Sequence, residues 1–390
     1  MLKEAKIILV ISVLFSLAMG LSNIFVNILL WKESKDFTIV ALYNLMHYIF
    51  VPITFIFAGW LSKKKNGVWS LRLGILFFIA FFGLILYINN NILRFIIPLG
   101  VLFGIASGFY WLAYHLLSFD CTTEKNRDTF NGLDGCSSGA ANAMAPIIGG
   151  FIIQRAGNTK GYTIVFTCSL ILFTVIILVS LLLKTKKYGA KLNVSHIWGS
   201  KHSEWSKIRK ATVTWGLRDV VLGFLMVVLL FKSTGSELSV GKLSLLAAVI
   251  YSLSSLIQQK LIKPKHRLQS MYTGAAIMLA AVLGISWNIR YGTLLLFNIM
   301  DSIAAPFFLI PMASASFNVI TQYHEEDLRA EYIINKEIVL NIGRIVSTLV
   351  LLLLLFLIKN PRVLNFYLLL LGSMQLISLY FLRQMRIWKI

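Results

Sequence analysis

Four ionisable residues of this sequence have apolar neighbours on both sides: Arg218 and Asp219 side by side, Asp301 within Asn298-Ile-Met-Asp301-Ser302, and Arg344 directly behind Gly343. A charge inside an apolar helix is expensive, so each marks either a transport pathway or an ion-pair lock. Adjacent helical residues point about 100° apart, so Arg218 and Asp219 are each expected to find a partner on another helix. Asp219 reads as a proton-titrating carboxylate with Arg218 as its modulator or as an anion anchor. The rival reading is a structural charge network. Asp301 reads as a carboxylate whose protonation couples to transport, or as one bonded permanently to a neighbouring helix. Arg344 reads as a substrate-acid anchor, or as a packing partner for Asp301 or Asp219.

Uncharged polar residues form a second group. Asn23 and Asn27 stand four apart, and Asn44 precedes His47 and Tyr48 by three and four, so each set lies on one helix face. Gly100, Gly104, Gly108, Trp111 and His115 make another stripe. The glycines read as close helix packing. Trp111, with Tyr110 and Tyr114 beside it, reads as cavity wall or as packing. His47 and His115 are far apart in sequence and make no metal site. No Walker-type loop, His-Glu-x-x-His or paired-cysteine pattern occurs, and Cys121, Cys136 and Cys168 are widely spaced. An enzyme, a cofactor and a metal centre are therefore not expected.

The elements that hold these residues are long apolar runs. Twelve are predicted to span a bilayer, at about 6–31, 38–60, 71–88, 93–117, 133–155, 162–183, 213–232, 240–259, 269–287, 292–319, 337–358 and 363–382. With 57% hydrophobic and 14% charged residues, and a mean hydropathy of +0.77, most of the chain needs lipid as its solvent. The net charge of +21 sits in short segments between runs, which argues against nucleic acid. Of 37 Lys and Arg, 25 fall on the side of the termini and 10 on the other. The positive-inside rule then places both termini in the cytoplasm.

The segment 184–212 is the long connection and carries eight Lys or Arg, Glu204, Trp198 and Trp205. It is expected to lie as a partly helical strap along anionic inner-leaflet lipid. It divides the chain into a six-span half at 1–183 and another at 213–390. The halves echo each other: Gly20-Leu21-Ser22-Asn23 matches Gly216-Leu217-Arg218-Asp219, and Glu124, Arg127 and Phe130 match Glu326, Arg329 and Tyr332. The symmetric loop charges Glu124, Arg127, Glu326 and Arg329 read as salt bridges of an inward gate, or as solvated loop charges.

Along its whole length the chain resembles the major facilitator superfamily. The loop Gly59-Trp60-Leu61-Ser62-Lys63-Lys64-Lys65-Asn66-Gly67 keeps a glycine and basic cluster, with Lys63 where that family has an aspartate. Ala145-Pro146-Ile147-Ile148-Gly149-Gly150 looks like the Gly-Pro-x-x-Gly-Gly pattern of exporters, with Ala145 at the first glycine. The resemblance implies an all-α membrane protein of two pseudo-symmetric six-helix bundles and a gating role for Pro146. The expected function is proton-coupled efflux of a small amphipathic compound, by a monomer in a bacterial plasma membrane. Nutrient uptake, flipping of a lipid-linked headgroup, and a scaffold that transports nothing are the alternatives.

Overall fold

The structure is a computed structural model that describes residues 3–122, 124–184, 192–199, 202–358, 360 and 362–389. Their side chains are described apart from those of residues 89–90, 124–128, 158, 264, 326 and 389. Twelve helices among the described residues are long and apolar enough to cross a membrane. They are α1 (Lys3–Ser34), α2 (Phe37–Lys64), α3 (Gly67–Ile88), α4 (Ile96–Asp120), α5 (Glu124–Ala156) and α6 (Asn158–Ser180). The series continues with α7 (Ser203–Thr234), α8 (Glu237–Leu261), α9 (Arg267–Trp287), α10 (Tyr291–Gln322), α11 (Arg329–Leu357) and α12 (Val363–Leu382).

Connections are short because local chemistry turns the chain sharply. Asp36 caps α2 by accepting from the Thr38 backbone N–H at 2.8 Å. Gly157, between α5 and α6, and Gly235, between α7 and α8, have φ of 81° and 65°. That left-handed backbone is the one glycine adopts without penalty.

Helix ends depart most from expectation at α7, which starts ten residues before the predicted 213. Its first turns bury Glu204, Trp205 and Ile208 on one face, so they belong to a packed helix and not to a surface strap. Directly after Val220 the helix loosens into a π-helical turn, Val221–Leu225, a feature that recurs at functional positions in helices.

The chain separates into two compact units, Met1–Leu192 with Gly235–Leu245, and Asn193–Thr234 with Leu246–Ile390. This differs from the division at 183 and 213 in two ways. Residues from Asn193 onward join the second unit, and the first part of α8 joins the first. The latter follows from small residues: a Cβ on Gly150 would stand 2.7 Å from the Glu237 carbonyl oxygen, and one on Gly241 2.5 Å from that of Pro146. Backbone-to-backbone packing of α8 on α5 requires glycine at both places.

Several helix pairs recur in both units. In the first, α1 packs on α5 and α6, and α3 on α4 and α6; in the second, α7 packs on α11 and α12, and α9 on α10 and α12. The first unit is filled by rings, among them Phe78, Phe82 and Phe173 stacked in series. The second is filled around Trp215, Met271, Met278, Phe308 and Met312.

Candidate functional site

The second unit gathers its charges where α7 and α11 cross. A Cβ on Gly216 would lie 2.2 Å from the Leu340 carbonyl oxygen, and one on Gly343 2.1 Å from that of Val213. The two backbones therefore touch, and the next residues on each helix, Arg218 and Asp219 on α7 and Arg344 on α11, are delivered to one level. Arg344 Nε donates to Asp219 Oδ2 at 2.8 Å, and its Nη2 lies 2.7 Å from the same oxygen. Arg344 also donates to Asn341 Oδ1 at 3.3 Å and lies 3.7 Å from Glu337. Ser347, one turn on, donates to the Leu217 carbonyl at 2.6 Å.

Arg218 points away from this cluster and is 0% exposed. Its Nη2 donates to Asp301 Oδ1 on α10, and its Nε donates to Gln375 Oε1 on α12 at 3.1 Å. The guanidinium lies 5.3 Å from the Trp215 ring centroid, within cation–π range. Pro306, five residues after Asp301 on α10, removes the backbone donor that would bond the Ser302 carbonyl. The network is not closed: Arg218 Nη1 and Gln375 Nε2 are buried donors without a protein acceptor. A buried unpaired donor costs about 1–3 kcal/mol, so either nitrogen favours a further acceptor.

The first unit holds Asn27, Asn44 and Trp111 in different settings. Asn44 Nδ2 donates to Asn27 Oδ1 at 2.8 Å, tying α2 to α1. Asn27 Nδ2 reaches back to the Asn23 carbonyl at 3.4 Å. His47 packs edge-on to Phe103 with centroids 4.6 Å apart. The glycine stripe of α4 is a packing seam: Cβ atoms on Gly100 and Gly104 would come within 2.4 Å of the Tyr43 and 2.8 Å of the His47 carbonyl oxygens. Trp111, at the end of that stripe, is 41% exposed and stands edge-on to Phe15 and to Tyr114.

Asp134, three turns into α5, and Gln375 carry no mark in the sequence. Tyr114 Oη donates to Asp134 Oδ2 at 2.5 Å, and Ser138 Oγ donates to Oδ1 at 3.1 Å. Ser12 on α1 completes the group, 2.9 Å from Ser138. A carboxylate so close to a predicted loop looks like a solvated charge, and a glutamine gives no charge signal at all. Only the spacing of Asp134 and Ser138, one helical turn apart, was available to mark the pair.

At the helix ends opposite the termini, Lys32 Nζ and Tyr162 Oη both donate to Glu237 Oε1, at 2.7 and 2.8 Å. Glu237 opens α8 and adjoins Gly150, so the Pro146–Gly150 stretch and this ion pair hold the same turn. At the other end, the side chains of Glu124, Arg127 and Glu326 lie outside the described residues, and Arg329 is half-buried at the first turn of α11. The neighbouring Glu325 accepts from Tyr332 and from His202 Nε2 at 3.2 Å. Burial alone would raise its carboxyl, but those hydrogen bonds and the nearby histidine charges hold it below the usual carboxylate range.

The basic segment does not lie wholly along a surface. Trp205 is 1% exposed and donates to Asn335 Oδ1 at 2.8 Å, while the Asn193 backbone N–H donates to Glu331 at 3.0 Å. A short helix, Val194–Trp198, is thereby pinned to α11, with Trp198 exposed. Lys186, Lys187, Lys191 and Lys201 lie outside the described residues.

A family model described as Major Facilitator Superfamily matches residues 8–348. The uncharacterised protein YqgE of Bacillus subtilis (strain 168) is 36% identical over 387 residues, covering 98% of this chain and 90% of that protein. An uncharacterised protein from the sodM 3' region of Geobacillus stearothermophilus is 40% identical over 164 residues, 42% of this chain and 77% of that protein. Among solved structures, the human organic anion transporter MFSD10 (TETRAN) superposes with a TM-score of 0.68 at 13% identity, covering 98% of this chain and 100% of that one. At that identity the likeness speaks for the fold alone.

Proposed function

Because the chain belongs to the Major Facilitator Superfamily, it is a multi-pass membrane transporter and not an enzyme, and we propose that it is a proton-coupled exporter of a small amphipathic compound. It works by alternating access in a bacterial plasma membrane, with both termini in the cytoplasm. The observation that carries this reading is the open network around Arg218. Ion pairs buried for stability alone are no better than well-packed apolar residues, and this one also leaves Arg218 Nη1 and Gln375 Nε2 without acceptors. Such a device is worth keeping if Asp301 and Asp219 exchange their arginines for a proton or a ligand during the cycle. Pro146 is proposed to gate from α5, where its carbonyl packs against Gly241 and Gly150, one turn on, packs against the Glu237 backbone whose carboxylate Lys32 and Tyr162 hold. Glu124, Arg127, Glu326 and Arg329 are proposed to serve the corresponding closure on the termini side. The basic 184–212 segment is proposed to meet anionic lipid through the part that does not pack on α11.

The test is substrate-driven proton movement in proteoliposomes, using a compound taken from a susceptibility panel on a deletion strain. Asp301→Asn and Asp219→Asn are each expected to abolish proton movement while the protein remains folded. Unchanged coupled flux in both variants removes the proton assignment from these residues.

A further inference from the structure

Among the described residues, the carboxylates in the interior of the spans do not share one chemistry. Asp301 lies on Arg218, Asp219 on Arg344, and Glu337 within reach of Arg344 as well. Asp134 instead is held by two hydroxyls, Tyr114 and Ser138, with no cation upon it. A carboxylate without a counter-ion, inside a helix long and apolar enough to cross the membrane, lacks the group that would normally balance it. Its surroundings say what kind of group that is. Tyr114 is stacked in register with Tyr110, centroids 6.1 Å apart, and Tyr110 lies 3.5 Å from Phe15. Trp111 stands perpendicular to Tyr114 at 5.9 Å and is the exposed ring of the set. Rings offer their negative faces to cations and gain nothing from anions, and an uncompensated carboxylate repels an anion outright.

We propose that Asp134, with the aromatic wall of Trp111 and Tyr114, is a recognition site for amphipathic monovalent cations. This rests on the transport reading above and names its substrate class: a delocalised or alkylated cation whose apolar body lies on Trp111 while its charge faces Asp134. Ser12 and Ser138 hold the carboxylate in place, bridging α1 to α5. A hydroxyl-held carboxylate is also free to release its ligand without breaking an arginine fork, which a carrier requires.

The experiment is equilibrium binding of radiolabelled tetraphenylphosphonium to the full-length detergent-purified chain, with tetraphenylborate as the probe of the same shape and opposite charge. Saturable binding of the cation and none of the borate is expected. Asp134→Asn is expected to weaken cation binding by about tenfold or more, since one full charge interaction is removed. Asp134→Glu is expected to retain most of it. Trp111→Ala is expected to weaken it severalfold and Trp111→Phe to restore it. Elution volume and melting temperature matching wild type show that each variant is folded, and Asp134→Glu keeps the test valid if Asp134→Asn is not. Failure of wild type to bind the cation, equal binding by Asp134→Asn, or preference for tetraphenylborate overturns the proposal. The transport reading fails separately: coupled flux of an anionic or neutral compound that ignores Asp134→Asn refutes only the cation site. Cation binding without any proton movement refutes only the coupled transport.

Discussion

At the scale of single residues, Arg218 shows how stability and function separate. Its guanidinium is fully buried and serves Asp301 and Gln375 through different nitrogens, a geometry that lysine cannot copy. Replacing one partner of a buried pair strands the other charge at a cost of about 3–5 kcal/mol, whereas replacing both by apolar residues is often neutral. Arg218→Met is therefore expected to lower the melting temperature sharply, and Arg218→Met with Asp301→Leu to recover most of the loss. Transport is expected to stay absent in the double variant. Recovery of flux there reduces the pair to a structural lock. The sequence marked Arg218, Asp219, Asp301 and Arg344 because charge inside an apolar run stands out. It did not mark who pairs with whom, because the partners lie 83 and 125 residues apart and the choice depends on which helix faces which. Asp134 escaped for the opposite reason: at the edge of the predicted span 133–155, it resembles an ordinary loop acid.

At the scale of helices, glycines decide where polar residues arrive. The crossing of α7 and α11 at Gly216 and Gly343 is what brings Arg344 to Asp219, because a Cβ on either glycine would enter the opposite backbone. Gly216→Ala or Gly343→Ala is expected to cost about 1–3 kcal/mol by overpacking, and to impair transport by moving Arg344 off Asp219. A Cβ on Gly132 or Gly139 of α5 would meet nothing within 4 Å, so alanine there is expected to be neutral or slightly stabilising. Thermal unfolding of the four variants side by side checks both halves of this statement. The same reasoning explains the internal repeat: Gly20, the counterpart of Gly216, makes the matching close approach of α1 to α5, with Ala145 at 2.7 Å. Equal positions in the two halves thus carry equal packing duties, while the residues that follow diverge into Ser22-Asn23 and Arg218-Asp219. The existence of the twelve helices was readable from hydropathy. Their true ends were not, since the first turns of α7 are too polar on one face to register as membrane-spanning.

At the scale of the whole molecule, the charge pattern predicts one topology. Lys and Arg number 25 in segments on the side of the termini against 10 on the other, and by the positive-inside rule the proposed topology has the richer side in the cytoplasm. Trp287, at the end of α9, is 90% exposed and lies on the poorer side. Lys263, just after α8, lies on the richer side. In a variant lacking Cys136 and Cys168, Trp287→Cys is expected to react with a membrane-impermeant maleimide in intact cells, and Lys263→Cys only after permeabilisation. The reverse pattern inverts the topology. Cys121 can remain as an internal control. Burial, with help from the charges of Asp120 and Glu4, pushes its thiol up to about 11, so thiolate is scarce at pH 7 and the labelling background small. Its alkylation in permeabilised membranes should rise by about tenfold for each pH unit between 7 and 10, as the thiolate fraction does. A rate that levels off above about pH 8.5, the value of a free thiol, would mean that the end of α4 is open to solvent.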